Sequence, residues 1–184
     1  AHTCLMNTQF FKNRSQRSVE SLQDTRGNSA AGEHPRRTTN AKAAALNQKI
    51  ERYARTNHHV LLTGERGTGK TTIARQIHDQ SSRRAKPFVS LNCATLHAEL
   101  VEAELFGYEK GSFTGANQAK AGLFETGSGG TVFLDEVGEL SLSLQAKLLK
   151  AVEEKRIRRV GASVEIPVDL RVIAATSRNL REMT

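Results

Sequence analysis

Short apolar runs and longer segments with helical composition alternate along most of this chain. Four runs have the length and the apolar content of buried strands: Val60–Thr63, Phe88–Leu91, Thr131–Leu134 and Leu170–Ala174. The segments beside them are typical of helices: residues 41–54, Lys70–Gln80, Leu96–Phe106 and Leu142–Glu154. Alternating strands and helices predict an α/β fold, in which helices cover a parallel sheet on both faces and ligands bind at the carboxyl ends of the strands.

Residues 1–40 differ in composition from the rest of the chain. They are rich in Ser, Thr, Asn, Gln and Arg and have few periodic apolar positions. This composition predicts a linker, a disordered arm or the remnant of an upstream domain. Residues 41–184 contain all the predicted strands and helices. A chain of 184 residues with 38% apolar content is long enough for one domain with a sizeable core.

The charge and the cysteines place limits on the class of protein. A formal net charge of +8 suits a nucleic-acid or polyphosphate partner, but the basic residues are scattered, so charge alone does not identify DNA binding. The two cysteines match no zinc or redox spacing, and the absence of a disulfide framework fits a reducing cytoplasm. No apolar run reaches membrane-spanning length. We therefore expect a cytoplasmic protein without membrane contact.

A glycine-rich loop follows the first of these strands and leads into the next predicted helix. Its sequence GERGTGKT fits the pattern GxxxxGK(S/T) in full. The loop consists of Gly64, Glu65, Arg66, Gly67, Thr68, Gly69, Lys70 and Thr71. Its glycines let backbone N–H groups curve around a β-phosphate, and the start of the helix adds its positive dipole end. We expect Lys70 against the β- and γ-phosphates of ATP and the Thr71 hydroxyl on Mg²⁺.

Two carboxylates end the third predicted strand. Asp135 and Glu136 directly follow the apolar residues Val-Phe-Leu. Together with the upstream loop they predict the second half of a nucleotide site. Asp135 is expected beside the Mg²⁺ ion, as a ligand alongside Thr71, and Glu136 where it can polarise an attacking water. The adjacent glutamate indicates hydrolysis rather than binding alone.

Polar residues also end the neighbouring predicted strands. Asn92 is either a turn residue or a contact of Glu136 that holds this glutamate away from water until triggered. Thr176 and Ser177 either cap the last strand or hydrogen-bond the γ-phosphate or the lytic water. With Glu136, these three are the candidate catalytic residues.

The segment GSFTGA lies between the phosphate loop and the carboxylates but has no evident part in ATP chemistry. It consists of Gly111, Ser112, Phe113, Thr114, Gly115 and Ala116. Flanking glycines permit large backbone changes, so the loop can move as a unit. Phe113 beside the Thr114 hydroxyl offers apolar contact area with one polar anchor, which favours a partner-binding loop. The alternative is that Phe113 folds back as a small local core.

These motifs together closely resemble the central AAA+ domain of bacterial enhancer-binding proteins, the sigma-54-dependent transcription activators. The resemblance runs from about Val60 to Leu180, and the family's GAFTGA loop stands here as GSFTGA. It rests on segments in a fixed order: GERGTGKT, PFVSLNCA (87–94), ELFGYEKGSFTGA (104–116), GLFETGSGGTVFLDEVGELSLSLQAKLLKAVEE (122–154), RRVG (158–161) and DLRVIAATSRNL (169–180). It implies a P-loop NTPase (AAA+) fold and makes residues 41–184 a partial sigma-54 interaction domain.

The resemblance also implies a mechanism. Subunits assemble into a ring, normally a hexamer, with ATP between neighbours. Hydrolysis moves the loop that carries Phe113 and Thr114, which touches sigma-54 in the RNA polymerase holoenzyme and remodels the closed promoter complex. The Asn at the position of Asn92 couples the nucleotide state to Glu136. Residues 156–168 resemble a second mobile insertion, a hairpin before the last strand.

The chain departs from the family pattern in three respects. Thr71 stands where the family often has Glu, and Ser177 replaces the usual sensor Asn. The arginine fingers, the fifth core strand, the helical lid and the DNA-binding helix-turn-helix would all lie beyond Thr184. We therefore expect strand Val60–Thr63 to form an unpaired apolar edge. We also expect this chain alone to bind nucleotide weakly at best and to hydrolyse it poorly.

Two further functions stay open at this point. The first is a regulator that binds nucleotide without hydrolysing it, which suits a truncated chain better than its family. The second is another AAA+ remodeller, such as a helicase-loader or chelatase-type protein. Capture of sigma-54 in the presence of an ATP transition-state mimic would favour the activator, whereas nucleotide binding without capture would favour the regulator.

Overall fold

The computed structural model describes residues 3–7 and 36–177. The strands in chain order are β1 Thr3–Asn7, β2 His59–Thr63, β3 Phe88–Asn92, β4 Gly107–Tyr108, β5 Lys120–Ala121, β6 Thr131–Asp135, β7 Arg156–Arg158, β8 Glu165–Pro167 and β9 Arg171–Thr176. The helices are α1 Arg36–Ala54, α2 Lys70–Asp79, α3 Ala98–Phe106, α4 Leu123–Thr126 and α5 Leu142–Glu154, and a 3₁₀ turn spans Val137–Glu139. The predicted α/β fold is confirmed.

The central sheet has five parallel strands in the order β1-β2-β9-β6-β3. Strand β9 lies between β2, which leads into the phosphate loop, and β6, which ends at the carboxylates. Since the strands are parallel, their carboxyl ends meet at one edge of the sheet. In register, Thr63 pairs with Thr176, and Asn92 pairs with Asp135. The topology thus brings all four predicted strand ends together.

The expectation that β2 forms an unpaired edge is wrong. Residues Thr3–Asn7 pair with it in parallel along its whole length, from Thr3 opposite His59 to Asn7 opposite Thr63. A strand with free N–H and C=O groups is a template for any extended segment within reach, and β1 fills that role. Helix α1 begins at Arg36 rather than near residue 41, so the predicted arm contributes structure at both ends. The rest of that arm, residues 1–2 and 8–35, lies outside the described residues.

Helices on both sides explain why β6 is buried almost throughout. Phe133 faces one side, where it packs with Leu62 of β2 and Ile73 of α2. Its neighbours Val132 and Leu134 face the other side, in a cluster built on α3, α4 and α5. Alternate side chains of a strand point to opposite faces, so a strand covered on both sides reads as a continuous apolar run. Each fully buried side chain of this size contributes about 1.5–3 kcal/mol.

A buried arginine begins β9. Arg171 is fully buried and donates from Nη2 to the carbonyl of Tyr53 and from Nε to the carbonyl of His58. Tyr53 lies in the last turn of α1, where unpaired carbonyls form the negative end of the helix dipole. Burial, and then the positive charge of Arg83, lowers the pKa of Arg171 to about 10. The guanidinium therefore stays charged at neutral pH and ties α1 to the sheet.

Candidate functional site

The phosphate loop joins β2 to α2 in a left-handed backbone turn. Gly67 and Gly69 have φ values of 79° and 80°, a conformation that L side chains rarely adopt. A Cβ on Gly67 would meet nothing within 4 Å, so the backbone angle and not crowding requires glycine there. Gly69 is the residue before α2 and no side chain caps that helix start. The first N–H groups of α2 are thus available to an anion.

Two hydrogen bonds hold the phosphate loop in this conformation. Thr68 is fully buried and its Oγ1 donates to the carbonyl of Glu65 at 2.7 Å. The backbone N–H of Gly64 donates to the carbonyl of Thr176 at 3.3 Å, which links the loop to the end of β9. The buried Thr176 therefore supports the loop through its main chain. The sequence pattern treats Thr68 as a variable position, so its bracing role was not predicted.

Lys70 is buried at the centre of the site. Its Nζ donates to the carbonyls of Gly64 at 2.9 Å and Glu65 at 3.2 Å, and lies 3.6 Å from Glu136 Oε1. The ammonium is thus held over the loop that the sequence predicts to surround phosphates. Thr71, the next residue, is exposed. A phosphate entering the loop would take over the Lys70 contacts from two backbone carbonyls and one carboxylate.

Asp135 and Glu136 lie at the carboxyl end of β6, close to Lys70 of the phosphate loop. Glu136 follows the end of β6 in a left-handed conformation with φ 54° and ψ 48°. Such a conformation costs of the order of 1–3 kcal/mol for a residue other than glycine and is concentrated at functional sites. The Asp135 carboxylate accepts from the Glu136 backbone N–H at 3.1 Å. The Asp135 carboxylate therefore contacts the backbone of the turn, whereas the Glu136 carboxylate lies 3.6 Å from Lys70 Nζ.

The two carboxylates also differ in their electrostatics. Burial is the main influence on Asp135 and raises its pKa, against the opposing charge of Lys70. Burial would also raise the pKa of Glu136, but hydrogen bonds from Ser177 and the charges of Lys70 and Arg66 outweigh it and lower that pKa. Arg66 is largely exposed, with Nε 3.8 Å from Glu136 Oε1. Glu136 is thus ionised at neutral pH and is able to accept a proton.

Ser177 contacts Glu136 rather than standing at a free strand end. Its backbone N–H and its Oγ both donate to Glu136 Oε2, at 2.9 and 2.8 Å. The two residues are 41 positions apart in the chain. No local pattern signals this contact.

The predicted contact between Asn92 and Glu136 is not made in this structure. Asn92 Oδ1 accepts from the backbone N–H of Ala94 at 2.9 Å, and Asn92 is exposed. An amide oxygen bonded to the backbone two residues ahead forms an Asx turn, which is the turn-residue alternative. Ser177 supplies the donors to Glu136 instead. Asn92 remains beside the site, because it pairs in register with Asp135.

The GSFTGA loop is the tip of a hairpin formed by β4 and β5. The Gly111 N–H donates to the carbonyl of Ala116 at 2.8 Å and closes the loop, with φ values of 80° at Gly111 and 101° at Gly115. The Phe113 ring lies edge-on to the Tyr108 ring at 5.0 Å, yet its side chain stays 41% exposed. Thr114 is exposed as well. The Phe113 ring therefore packs against Tyr108 on one side and stays accessible to solvent, and it does not form a local core.

A second hairpin, β7–β8, contacts the base of the GSFTGA hairpin. Val160 donates to the carbonyl of Gly107 at 2.9 Å, and the Glu109 N–H donates to the carbonyl of Val160 at 3.0 Å. Arg159 forms ion pairs with Glu109 and Glu125. Its hydrogen bond to Glu125 lowers the pKa of that carboxyl group. The sequence predicted a hairpin at residues 156–168, and this is confirmed. Its contacts with the GSFTGA hairpin were not predicted.

Together, these features define a class of protein. A parallel sheet of this order, with a phosphate loop after one strand and acidic residues after another, is the P-loop NTPase fold. Comparison with known proteins narrows the class further. Residues 37–184 match the sigma-54 interaction domain, and the chain belongs to this family.

Curated relatives agree with this assignment. The chain is 55% identical over 139 residues to the Nif-specific regulatory protein of Bradyrhizobium diazoefficiens, covering 76% of this chain and 24% of that protein. It is 56% identical over 136 residues to nitrogen fixation protein VnfA of Azotobacter vinelandii, covering 74% and 26%. It is 49% identical over 141 residues to the sigma54-dependent transcriptional regulator SfnR of Pseudomonas fluorescens, covering 77% and 38%. The chain thus spans well under half of each of these relatives.

Solved structures show the same fold. The crystal structure of NtrX from Brucella abortus has a TM-score of 0.71 and 37% identity, covering 94% of this chain and 36% of that one. NtrX complexes with ADP and with ATP match at TM-scores of 0.71 and 0.70, with 36% and 35% identity. Within the described residues, each helix is too short or too polar to cross a membrane.

Proposed function

We propose that this chain binds ATP with Mg²⁺ and, within an assembled ring of subunits, hydrolyses it to drive remodelling of sigma-54 RNA polymerase. The observation that carries the proposal is the juxtaposition of Lys70 and Glu136 over a left-handed glycine loop, 3.6 Å apart. The NtrX complexes with ADP and ATP support nucleotide binding in a relative that shares this fold. The family assignment favours this function over that of another type of AAA+ machine.

The residues present suit a magnesium ion. Asp135 offers a carboxylate at the end of β6, and Thr71 an exposed hydroxyl at the start of α2. Mg²⁺ prefers oxygen ligands and usually takes one or two from the protein beside those of the substrate phosphates. Asp135 and Thr71 would hold the ion, which when bound neutralises charge on the phosphate oxygens.

The remaining side chains have separable roles in hydrolysis. Lys70 exchanges its contacts with the loop carbonyls for contacts with the β- and γ-phosphates. Glu136, ionised at neutral pH, accepts a proton from the attacking water. Thr176 and Asn92 lie at the ends of the neighbouring strands and complete the polar edge of the site.

The chain path connects this site to the exposed loop. Glu136 leads through the 3₁₀ turn and α5 into hairpin β7–β8, and β9 then returns to Ser177. Hairpin β7–β8 in turn contacts Gly107 and Glu109 at the base of the GSFTGA hairpin. We propose that a movement of Glu136 relative to Ser177 is transmitted along this path to the base of the loop that carries Phe113 and Thr114. We propose that these two exposed residues contact sigma-54.

Assembly and DNA contact complete the proposal. The family resemblance supports a ring, normally a hexamer, with nucleotide between subunits. The family resemblance implies that a separate C-terminal domain recognises DNA, and we assign no DNA contact to residues 37–184, which match the sigma-54 interaction domain.

Capture of sigma-54 tests the proposal. The chain is incubated with purified sigma-54 and an ATP transition-state mimic, and complex formation is measured by gel filtration. We expect capture by the unaltered chain and its loss in Phe113→Ala and Thr114→Ala. Leu100→Ala is the matched control, because Leu100 is 47% exposed on α3, compared with 41% for Phe113. Nucleotide binding without capture would instead identify a regulator that does not remodel.

A further inference from the structure

Ser112 of the GSFTGA loop carries a polar atom that has no partner. Its Oγ is buried from solvent and makes no hydrogen bond, and among the described residues only Nη1 of Arg171 shares this state. Arg171 bonds through its other nitrogens to two backbone carbonyls, whereas the side chain of Ser112 has no second polar group. A buried polar group without a partner is destabilising and is rare in folded proteins.

The unpaired hydroxyl lies where the two hairpins meet. Gly161 is in the connection between β7 and β8, and a Cβ there would lie 2.8 Å from Ser112 Cβ and 4.0 Å from Glu109 Cβ. Two backbone hydrogen bonds join the hairpins beside this point, from the Glu109 N–H to the carbonyl of Val160 and from the Val160 N–H to the carbonyl of Gly107. Ser112 therefore packs against the second hairpin at the place where the two are joined.

We propose that Ser112 is a release element, whose unpaired hydroxyl weakens the contact between the GSFTGA hairpin and hairpin β7–β8. In the joined state the hydroxyl gives up its hydrogen bonds to water and gains none in return. When the hairpins separate, water satisfies it again. Compared with a side chain of similar size without the hydroxyl, this favours separation by roughly five- to a hundredfold. The inference concerns the nucleotide-free chain and does not depend on the proposed function.

The polar contacts that oppose separation are weak enough for one hydroxyl to matter. The ion pair between Arg159 and Glu109 is 3.0 Å long, but the Glu109 side chain is 43% exposed, and such pairs contribute little. Arg159 also bonds to both oxygens of Glu125 at 2.7 Å. Its guanidinium therefore keeps a partner when Glu109 moves away. The two backbone hydrogen bonds are then the main polar contacts that hold the hairpins together.

Amide hydrogen exchange of the nucleotide-free chain tests the proposal in Ser112→Ala. The amides of Glu109 and Val160 are the reporters, because each donates across the contact and is freed when the hairpins separate. Alanine keeps the Cβ and removes the hydroxyl, so we expect exchange at both amides to slow by roughly five- to a hundredfold. Ser163→Ala is the matched control, because Ser163 is exposed in the same connection as Gly161. It should leave both rates unchanged.

A second variant distinguishes the contact between the hairpins from the conformation of the loop itself. In Gly161→Ala the added methyl group does not fit beside Ser112, so one hairpin must shift and the hydroxyl gains access to water. Ser112→Ala should therefore slow exchange by a smaller factor in the Gly161→Ala background than in the unaltered chain. A double-mutant cycle of the four proteins measures this difference.

Each outcome supports or overturns the release element. Slower exchange at both reporter amides in Ser112→Ala, with a smaller factor in the Gly161→Ala background, supports it. Unchanged or faster exchange in Ser112→Ala would show that the hydroxyl does not weaken the contact, and would overturn it. Equal slowing in Ser163→Ala, or the same factor in both backgrounds, would overturn it as well. These measurements involve neither ATP nor sigma-54, so their failure is distinct from a failure of the proposed function.

Discussion

The two ends of β9 hold charged groups in opposite ways. At its start, Arg171 is fully buried and bonded to backbone carbonyls of Tyr53 and His58. Just past its end, Ser177 contacts Glu136, whose other oxygen lies 3.6 Å from Lys70 Nζ. Arg171 is enclosed by the protein, so no ligand can reach its acceptors. Lys70 is held by two carbonyls of the phosphate loop and one carboxylate, and these are contacts that a phosphate in the loop would take over.

The strained backbone conformation and the charged side chains that a ligand can reach both lie at the carboxyl end of β9 and its neighbours. The left-handed backbone at Glu136 occurs at the end of the strand where ligands are expected. At the opposite end, Arg83 bonds both oxygens of Asp169 at 3.0 Å and the carbonyl of Gly130 at 3.1 Å. The amino edge of the sheet is therefore a structural clamp, and the carboxyl edge is the proposed reactive site.

Glu136→Gln should have the largest effect, on the rate of hydrolysis. Glutamine keeps the shape and can still accept from Ser177, but it cannot take a proton. We expect the rate of phosphate release to fall about 10²- to 10⁴-fold, with little change in nucleotide affinity. Single-turnover hydrolysis measures this, with Glu153→Gln on the exposed face of α5 as the control. Equal rates of phosphate release in Glu136→Gln and Glu153→Gln would show that Glu136 takes no part in hydrolysis.

Arg171→Ala should act at the other end of β9, on stability. It leaves a cavity and removes the donors to Tyr53 and His58, which together cost about 3 kcal/mol in the free energy of unfolding. Urea unfolding measures the loss. The exposed Arg84→Ala should cost less than about 0.5 kcal/mol. If Arg171→Ala left stability unchanged, the clamp would not exist.

The same contrast explains what the sequence could and could not predict. Lys70 and Glu136 were found because each belongs to a short local pattern with a known chemical use. The contact between Glu136 and Ser177 spans 41 positions, and that between Arg171 and Tyr53 spans 118. Pairings at such separations depend on strand order, which apolar spacing does not encode. For Asn92 the residues left a turn role and a contact with Glu136 open, and the family resemblance favoured the contact; its own turn satisfies its side-chain oxygen instead.

The neighbour of β2 could not be predicted for the same reason. The strand Thr3–Asn7 lies in a polar segment without apolar alternation, and its pairing appears only in the assembled sheet. The sequence indicated a loop at GSFTGA and a hairpin at residues 156–168, but it did not predict the β4–β5 pairing or the contact between the two hairpins at Val160 and Gly107.

Gly161→Ala tests whether the hairpins belong to the rigid part of the molecule. Gly161 has a φ of 80°, and a Cβ there would lie 2.8 Å from Ser112 Cβ in the GSFTGA loop. Gly129 has a φ of 81° with nothing within 4 Å, so Gly129→Ala carries the backbone strain alone. Both should lose about 1–2 kcal/mol, but only Gly161→Ala should increase hydrogen exchange at residues 111–116. Equal hydrogen exchange at residues 111–116 in the two variants would show that the second hairpin does not stabilise the GSFTGA loop.

The smallest effect is the pH dependence of stability at the carboxyl edge. The folded pKa of Glu136 is lowered, so its contribution is present at neutral pH and is lost as the pH falls through that value. The raised pKa of Asp135 contributes with the opposite sign. Glu136→Gln should therefore flatten the acid decline in urea unfolding, and Asp135→Asn should steepen it. A decline unchanged by either variant would contradict these assignments.

Nucleotide titration of the Lys70→Ala variant tests the central claim most directly. Binding of a fluorescent ATP analogue is measured with the unaltered chain, with Lys70→Ala and with the exposed control Lys49→Ala. If the carboxyl edge of the sheet is the reactive site, Lys70→Ala should weaken binding by at least about tenfold, since a charge-assisted phosphate contact is lost. Lys49→Ala should bind like the unaltered chain. Equal binding by Lys70→Ala and the unaltered chain would contradict the account.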